Sequence, residues 1–569
     1  GWAGGDSLAR QGESGIWAGE FAGAQAGHRY RFGIRSVDGA YTVKADPMAR
    51  YAEGAPSNAS VVVAPSQFRW TDDDWMRGRS HAATTPLRIY EVHLGSWRSG
   101  ARTYLELGDQ LADHVTGLGF THVEFLPIAE HPFGGSWGYQ VTGYYAPTSR
   151  YGTPDELRAM IDVLHARGIG VIVDWVPAHF PKDEWALARF DGTPLYEHAN
   201  PQRGEHPDWG TYVFDFGRAE VRNFLVANAL YWLHEFHIDG LRVDAVTSML
   251  YLDYSRADGE WLPNKFGGKE NLEAIEFVRE LTNVVAQESP TAMMIAEEST
   301  AFPRITHPVA DGGLGFTHKW NLGWMNDTLG YLRHVPGRRP PHHRELTFGL
   351  TYAFHERFVL PLSHDEVVHG KGSLLGKMPG SDSNRFANLR ALYAWMWALP
   401  GAPLLFMGAE LAPLSEWSDA AELPWQLLED PRNRGVRDLI VELNRLSVLW
   451  PAVYERDQEA AGFEWLDADN ASNSTYAFLR VGRDGGTAVA CVASFSPKRH
   501  ERYRVGLPWP GPWQLLLDSN STSFGGERTA APGRRVTADG ERPWQRQPAS
   551  VVLDVPPLGV LWLGGERPS

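Results

Sequence analysis

The sequence predicts an α/β protein: a (β/α)₈ barrel, with a small β module before it and an all-β sandwich after it. Three observations carry this. From Leu87 onward, short apolar runs alternate with amphipathic helical stretches, and the count of such runs is eight. Before about Ser80 the chain reads as short strands broken by glycine, and after about Pro451 the helical period stops and short strands return.

The eight strands are expected at Ile89–Leu94, Thr121–Leu126, Gly170–Asp174, Gly240–Asp244, Ala292–Ala296, Thr317–Asn321, Phe358–Leu362 and Leu404–Met407. Between them lie "TYLELGDQLADHVTGLG", "TPDELRAMIDVLHARG", "AEVRNFLVANALYWLHEF", "ENLEAIEFVRELTNVVAQ" and "RFANLRALYAWMWAL", several of which close on glycine, the residue favoured just past a helix C-terminus. A doubly wound sheet is the alternative, but no G-x-G-x-x-G opens the first unit. In the first eighty residues Tyr30, Phe32 and Ile34 alternate with Arg31 and Arg35, the pattern of an antiparallel strand. "TDDDWMRGRSHAATTP" reads as a linker. These boundaries divide the chain into residues 1–80, 81–450 and 451–569, with a Pro-, Gly-, Asp- and His-rich insert at about 180–215 in the third unit.

Composition narrows the partner. A formal net charge of -16 over 569 residues leaves no electrostatic footprint for nucleic acid or an anionic membrane, and disfavours a polyanionic substrate. A neutral polymer is compatible, and the 23 tryptophans suit a ligand with flat apolar faces, such as sugar rings. No apolar run approaches the roughly 18 residues of a membrane span. The single cysteine, Cys491, cannot form an intrachain disulfide, which fits a cytoplasmic protein. "GWAGGDSLARQ" is not a signal peptide.

In such a barrel the active site lies at the C-terminal ends of the strands. Strand three ends in Asp174, with His179 following. Strand four, "GLRVDAV", carries Arg242 and Asp244 two residues apart, hence on one face. Strand five ends in Glu297 and Glu298, and strand seven in His364, Asp365 and Glu366. The second βα loop brings His131, Trp137 and Tyr139. Any one of these has an ordinary explanation: an acidic strand end caps the next helix, and Arg242 with Asp244 makes a structural ion pair. Their conjunction at one end of the barrel does not, because desolvating several like charges costs several kcal/mol each unless they are paired.

Cleavage of a glycosidic bond with retention needs such a ring. It uses two carboxyl groups roughly 5–5.5 Å apart, one a nucleophile and one a proton donor. Asp244 beside Arg242 suits an ionised nucleophile, and a strand-five glutamate next to that carboxylate suits a protonated donor. Asp365 suits stabilisation of a positive transition state, with His364 and His179 as hydroxyl partners. A metal-dependent barrel hydrolase would call for a His-x-His pair at strand one, which has only His93. A non-catalytic glycan binder would keep the aromatic residues without the carboxylates.

"VIVDWVPAHF", "GLRVDAV", "MMIAEEST" and "LPLSHDEVVHG" resemble the four motifs of the α-amylase superfamily of glycoside hydrolases and transglycosidases. "YEVHLGSW", "EHPFGGSWGYQVTGYYAPTSRYGTPDEL", "SMLYLDYSR", "KWNLGWMNDTL" and "SHDEVVHGKGSLLGKMPG" resemble its bacterial 1,4-α-glucan (glycogen) branching enzymes, over a region from about Ala45 to the end. The resemblance implies Asp244 as nucleophile, Glu297 as general acid/base and Asp365 as transition-state stabiliser, with Tyr139, Asp174, His179, Arg242 and His364 contacting the donor sugar. It implies an α-glucan substrate, transfer of a cleaved α-1,4 chain to a 6-hydroxyl, no cofactor and no metal, and a monomer. The other outcomes within the superfamily are hydrolysis of α-1,4-glucan or of maltooligosyl trehalose. It also implies that the N-terminal strands are part of a glycogen-binding-type β-sandwich entered partway through.

Overall fold

A computed structural model describes residues 5–79, 85–100, 103–529 and 533–568. Eight parallel strands close into a barrel: β1 (Ile89–Val92), β2 (His122–Phe125), β3 (Gly170–Trp175), β4 (Gly240–Val243), β5 (Met293–Ala296), β6 (His318–Trp320), β7 (Phe358–Leu362) and β8 (Ala402–Phe406). Pairing runs in chain order, and β8 returns to β1, with Leu404 opposite Ile89 and Phe406 opposite Glu91. Each expected strand is present. They were legible because most of them are buried on both faces and so read as continuous apolar runs.

The helices that wrap the barrel are α1 (Tyr104–Leu118), α2 (Pro154–Ala166), α3 (Ala219–Glu235), α4 (Leu272–Glu288), α5 (Leu322–Arg333), α6 (Asp382–Met396) and α7 (Pro431–Leu449). Local chemistry fixes several ends. Thr103 with Glu106, and Thr153 with Glu156, form reciprocal capping boxes at the starts of α1 and α2. Gly119 ends α1 in the left-handed region, at φ 79°.

The barrel interior holds Ile89, Ile172, Met293, Ile295, Trp320 and Val359, together with Ala402 and Leu404. Period-two alternation then sends Arg242, in register with both Asp174 and Ile295, to the same inner face. Ile295 lies inside the barrel, so Glu297, two residues on, leaves β5 on the inner side.

After α7 the chain forms a six-stranded antiparallel sheet. It contains β9 (Phe463–Asp467), β10 (Thr475–Val481), β11 (Thr487–Ser494), β13 (Gly511–Asp518), β14 (Arg535–Ala538) and β16 (Gly559–Glu566), in the order β9-β10-β11-β16-β13-β14. A separate pair, β12 (His500–Leu507) and β15 (Ala549–Val555), shares an apolar core with that sheet, which includes Leu479, Val492, Val505 and Val551. Cys491 is buried in β11.

Ahead of the barrel, three two-stranded pairs occupy residues 9–61, the longest being Phe32–Arg35 with Tyr41–Lys44. This hairpin docks on the third-unit insert: Lys44 Nζ donates to the carbonyl of Ala188 at 2.6 Å and to that of Glu184, and Ala45 N donates to Trp185 O at 2.7 Å.

The segment read as a linker is partly structured, and residues 80–84 of it lie outside the described residues. Asp73–Gly78 is a short helix held by distant partners. The Trp75 indole donates to Asp239 at 2.9 Å and stacks on His165. No helix among the described residues is long and apolar enough to cross a membrane.

Candidate active site

At the C-terminal mouth of the barrel, one guanidinium organises three carboxyl groups. Arg242 is fully buried and lies over the Trp320 ring at 4.4 Å. Its Nη1 donates to Asp174 Oδ2 at 2.5 Å and to Asp244 Oδ1 at 2.9 Å, while Nη2 pairs with Glu297 Oε2 at 2.9 Å. One positive charge cannot neutralise three negative ones, so the cluster must hold protons, and its geometry decides where they sit.

Asp244 stays ionised. Burial pushes its carboxyl up, but His179, whose Nε2 is 3.7 Å away, and Arg242 outweigh burial and hold it below the ordinary range. Glu297 moves the other way. Burial raises it to about 7, against the pull of Arg242 and with the help of the negative Asp244 and Asp365. Asp174 is likewise lifted by burial to about 7.

The Glu297 carboxylate also accepts the backbone N–H of Ala245 at 2.8 Å. Ala245 aims that N–H by standing in the left-handed region at φ 52°, an uncommon conformation for a residue with a Cβ. The neighbouring Glu298 emerges on the opposite side of β5. It is buried, and its Oε2 meets Lys319 Nζ at 2.6 Å.

Asp365 and His364 open the 3-10 turn His364–Val367 after β7. The Asp365 side chain is 44% exposed, and its Oδ1 lies 3.5 Å from His364 Nε2. His364 is buried. Burial would lower its pKa, but Asp365 and Glu91 outweigh it and raise it to about 9. Its Nδ1 lies 2.6 Å from Glu91 Oε1, and its backbone N donates to Glu91 Oε2 at 2.9 Å. With both ring nitrogens protonated, Nε2 is left to donate to the Tyr139 hydroxyl at 3.2 Å, and Tyr139 in turn donates to Asp174 Oδ2 at 2.6 Å. A proton-fixed chain thus runs Glu91–His364–Tyr139–Asp174–Arg242.

Gly138 makes the approach of Tyr139 possible. It has φ 99°, and a Cβ there would lie 2.2 Å from the Pro127 carbonyl oxygen. Asp244, Glu297, Asp365, Tyr139, Asp174, His179, Arg242 and His364 therefore fall in one connected cluster. His131 does not join it; this buried imidazole bonds the Ala129 carbonyl at 2.9 Å. Trp137 stands at the edge, stacked on His369.

Two members escape a reading of strand ends. Glu91 and Glu124 sit side by side in register on β1 and β2, both buried. Neither oxygen of Glu124 has a hydrogen-bond partner among the described residues, and burial, with Glu91 and Asp174 beside it, pushes this carboxyl well up. The available signal was a lone glutamate at inward parity within each apolar run, "IYEV" and "HVEF".

This arrangement can deliver an ionised carboxylate and a proton-bearing carboxyl to one bond from positions fixed by a shared cation. Arg242 already supplies the positive charge at its centre.

Comparison with known proteins agrees with this chemistry. Residues 107–194 match the family model described as the alpha amylase catalytic domain, and residues 465–566 the alpha amylase C-terminal all-beta domain. The chain is 57% identical over 556 residues to the 1,4-alpha-glucan branching enzyme of Frankia casuarinae, covering 97% of this chain and 68% of that protein. It is 58% identical over 522 residues to the enzyme of that name from Thermobifida fusca, covering 91% and 69%. Among solved structures it resembles a putative alpha amylase from Salmonella typhimurium (TM-score 0.67, 19% identity, 96% and 92% coverage) and a type I pullulanase from Bacillus subtilis (TM-score 0.70, 19% identity, 95% and 77% coverage). At that identity the two structures speak to the fold alone.

Proposed function

Because the chain belongs to the 1,4-alpha-glucan branching enzymes of the α-amylase family, we propose that the Arg242 cluster is where it cuts an α-1,4-glucan chain and passes it to a glucan 6-hydroxyl. Asp244 attacks the anomeric carbon and holds the donor chain as a covalent ester. Glu297 gives its proton to the departing glycosidic oxygen. In the second half-reaction Glu297, now ionised, takes the proton from the incoming 6-hydroxyl, which displaces Asp244. Two inversions give net retention, and atoms and charge balance without a further reactant.

The observation that carries this reading is the split in proton affinity across Arg242: Asp244 is pushed down and Glu297 up to about 7. To Asp365, the most exposed of the acids, we assign the stabilisation of the oxocarbenium-like sugar. Tyr139, His179 and His364 line the donor side as hydroxyl partners. Arg242 and Asp174 are buried, and we assign their contribution to the sugar site as acting from beneath, through Asp244, Glu297 and Tyr139.

We also propose the division of the chain at about residues 80 and 450. We propose a monomer from the family resemblance, and a lone buried cysteine supports a reducing, cytoplasmic setting.

Incubation with amylose tests the reaction. Branching lowers iodine staining with little gain in reducing ends and produces α-1,6 signals by NMR. Reducing ends that rise in step with the loss of staining would instead make the protein a hydrolase.

A further inference from the structure

Among the described residues, one group of three His, Cys, Asp or Glu side chains brings its donor atoms within 4.8 Å of one another, and it has no part in the chemistry above: His334, His342 and Glu345. The geometry points to a divalent transition-metal site built from these three side chains, with the fourth position open to water.

Each ligand comes from a separate turn whose backbone is held independently. His334 caps the C-terminus of α5, its N–H bonded to Tyr331 O at 3.1 Å. The buried Arg339 ties that turn down from behind, donating to His334 O at 3.1 Å and Leu332 O at 2.9 Å. His342 ends the 3-10 turn Pro340–His342, stiffened by two successive prolines, and Glu345 opens the short helix Glu345–Phe348.

Within this frame His342 Nδ1 lies 2.7 Å from Glu345 Oε1, and His334 Nε2 lies 3.7 Å from Glu345 Oε2. The two imidazoles stack, with centroids 3.5 Å apart and planes at 20°, so their in-plane lone pairs run side by side and one ring has to turn out of the stack for both to ligate a single ion. Bonds of 2.0–2.2 Å in a tetrahedron separate ligand atoms by about 3.3–3.5 Å. The observed 2.7 and 3.7 Å, to the two oxygens of one carboxylate, lie either side of that value, and all the donor atoms lie within 4.8 Å of one another, so closure takes rotation of an imidazole with the backbone in place.

Two neutral imidazoles and a carboxylate suit Zn²⁺, Co²⁺, Ni²⁺ or Cu²⁺, and not Mg²⁺ or Ca²⁺, which take oxygen ligands. The side chains are 34%, 36% and 34% exposed, enough to admit a water as fourth ligand.

The location separates this site from catalysis. The α5 helix starts directly after β6 and runs back along the barrel for about 18 Å at 1.5 Å per residue, which places His334 at the end opposite the carboxylate cluster. The same loop grips the C-terminal sheet: Arg339 Nη1 donates to Phe495 O at 3.0 Å, and His343 stacks on Tyr476 at 4.1 Å. A bound ion would therefore staple the end of α5 to the loop that joins the barrel to the C-terminal module.

The test uses the full chain, untagged and stripped with chelator, titrated with Zn²⁺ by calorimetry and with Co²⁺ by visible absorption. The expected result is one tight equivalent, four- or five-coordinate Co²⁺ bands, and a zinc-dependent rise in Tm that Mg²⁺ does not produce. The double variant His334→Ala/His342→Ala should weaken zinc binding by more than about 100-fold, since loss of even outer partners costs 10–100-fold, and its branching activity should match the parent. No saturable site, or unchanged affinity in the double variant, overturns the proposal. If that variant fails to fold, X-ray absorption on the zinc-loaded parent decides: two imidazoles in the coordination shell support the site, and fewer than two refute it.

Discussion

Glu297 and Glu298 are adjacent in the chain and lie on opposite sides of the barrel wall. The first pairs with Arg242 inside at 2.9 Å, and the second with Lys319 outside at 2.6 Å. Their replacements should therefore fail differently. Glu297→Gln removes the proton donor and should lower kcat by about 10²–10⁴-fold, the usual worth of general acid–base catalysis, with little change in Tm. Glu298→Gln leaves the Lys319 ammonium buried without its counter-charge and should cost about 3–5 kcal/mol of stability, read as a fall in Tm. Equal loss of kcat in both, at unchanged Tm, would refute the division of roles.

Asp244→Ala should abolish turnover, by more than about 10⁴-fold, because the covalent step has no substitute nucleophile. The fold should survive, since Arg242 keeps Asp174 and Glu297 as partners. Circular dichroism and steady-state rates together check this, and substantial residual turnover would overturn the nucleophile assignment.

The pH–rate profile follows from the same cluster. Glu297 must enter protonated, so kcat/KM should fall as pH rises through about 7. Asp244 must enter ionised, and its carboxyl is held below the ordinary range, so activity should persist until pH drops beneath that range. Arg242→Lys has no fork to bridge Asp244 and Glu297. It should lower kcat by about 100-fold or more and move the acid limb upward. A profile with unmoved limbs would sink the account.

Stability has its own pH window, set at the other end of β3 and β4. The buried His165 sits between Asp72, at 2.8 Å, and Asp239, at 3.0 Å. Burial opposes its charge, but its bonds to Asp239 and Asp72 win and raise its pKa above 6.5. That contribution is complete below pH 6.5 and is lost as pH climbs through the folded value. Asp72 and Asp239 are lowered despite burial, chiefly by bonds from His165, so their contribution holds above pH 3.8 and is lost as pH falls through their folded values. The stabilisation supplied by this triad should therefore be constant between about pH 4 and 6.5, read as a constant Tm gap between the parent and His165→Gln over that range. His165→Gln should flatten the alkaline decline, which differential scanning calorimetry can read.

These relationships differ in how far the sequence reveals them. Strand parity puts Glu297 and Glu298 on opposite sides of β5 without choosing between them; the branched bulk of Ile295 leans towards Glu297, and the resemblance to the α-amylase superfamily makes the same choice. Arg242 and Asp244 share a face by the same parity. Glu91 leaves only a weak local signal, a lone glutamate at inward parity in an apolar run, because its partner, His364, is remote in the chain. The Asp73–Gly78 helix leaves none: six residues are too few to hold a helix alone, and this one exists because Trp75 reaches Asp239 and His165. The metal-ligand trio is visible as "HHRE" plus a histidine eight residues earlier than the first of that pair, but only the turn at Arg339 brings His334 back to it.

The closure of β8 onto β1 also orders events during synthesis. Glu91 is made early, and its partner His364 follows 273 residues later. At about 5–20 residues per second the ribosome needs roughly 14–55 s to supply it. Through that interval the first strand has an open edge, and its glutamate has neither an imidazole to bond nor a closed barrel around it. Half-made chains thus display a row of unsatisfied strand groups and no assembled cluster. Glucan chemistry begins only once the last barrel strand has arrived, so a stalled nascent chain is a burden to chaperones before it is ever an enzyme.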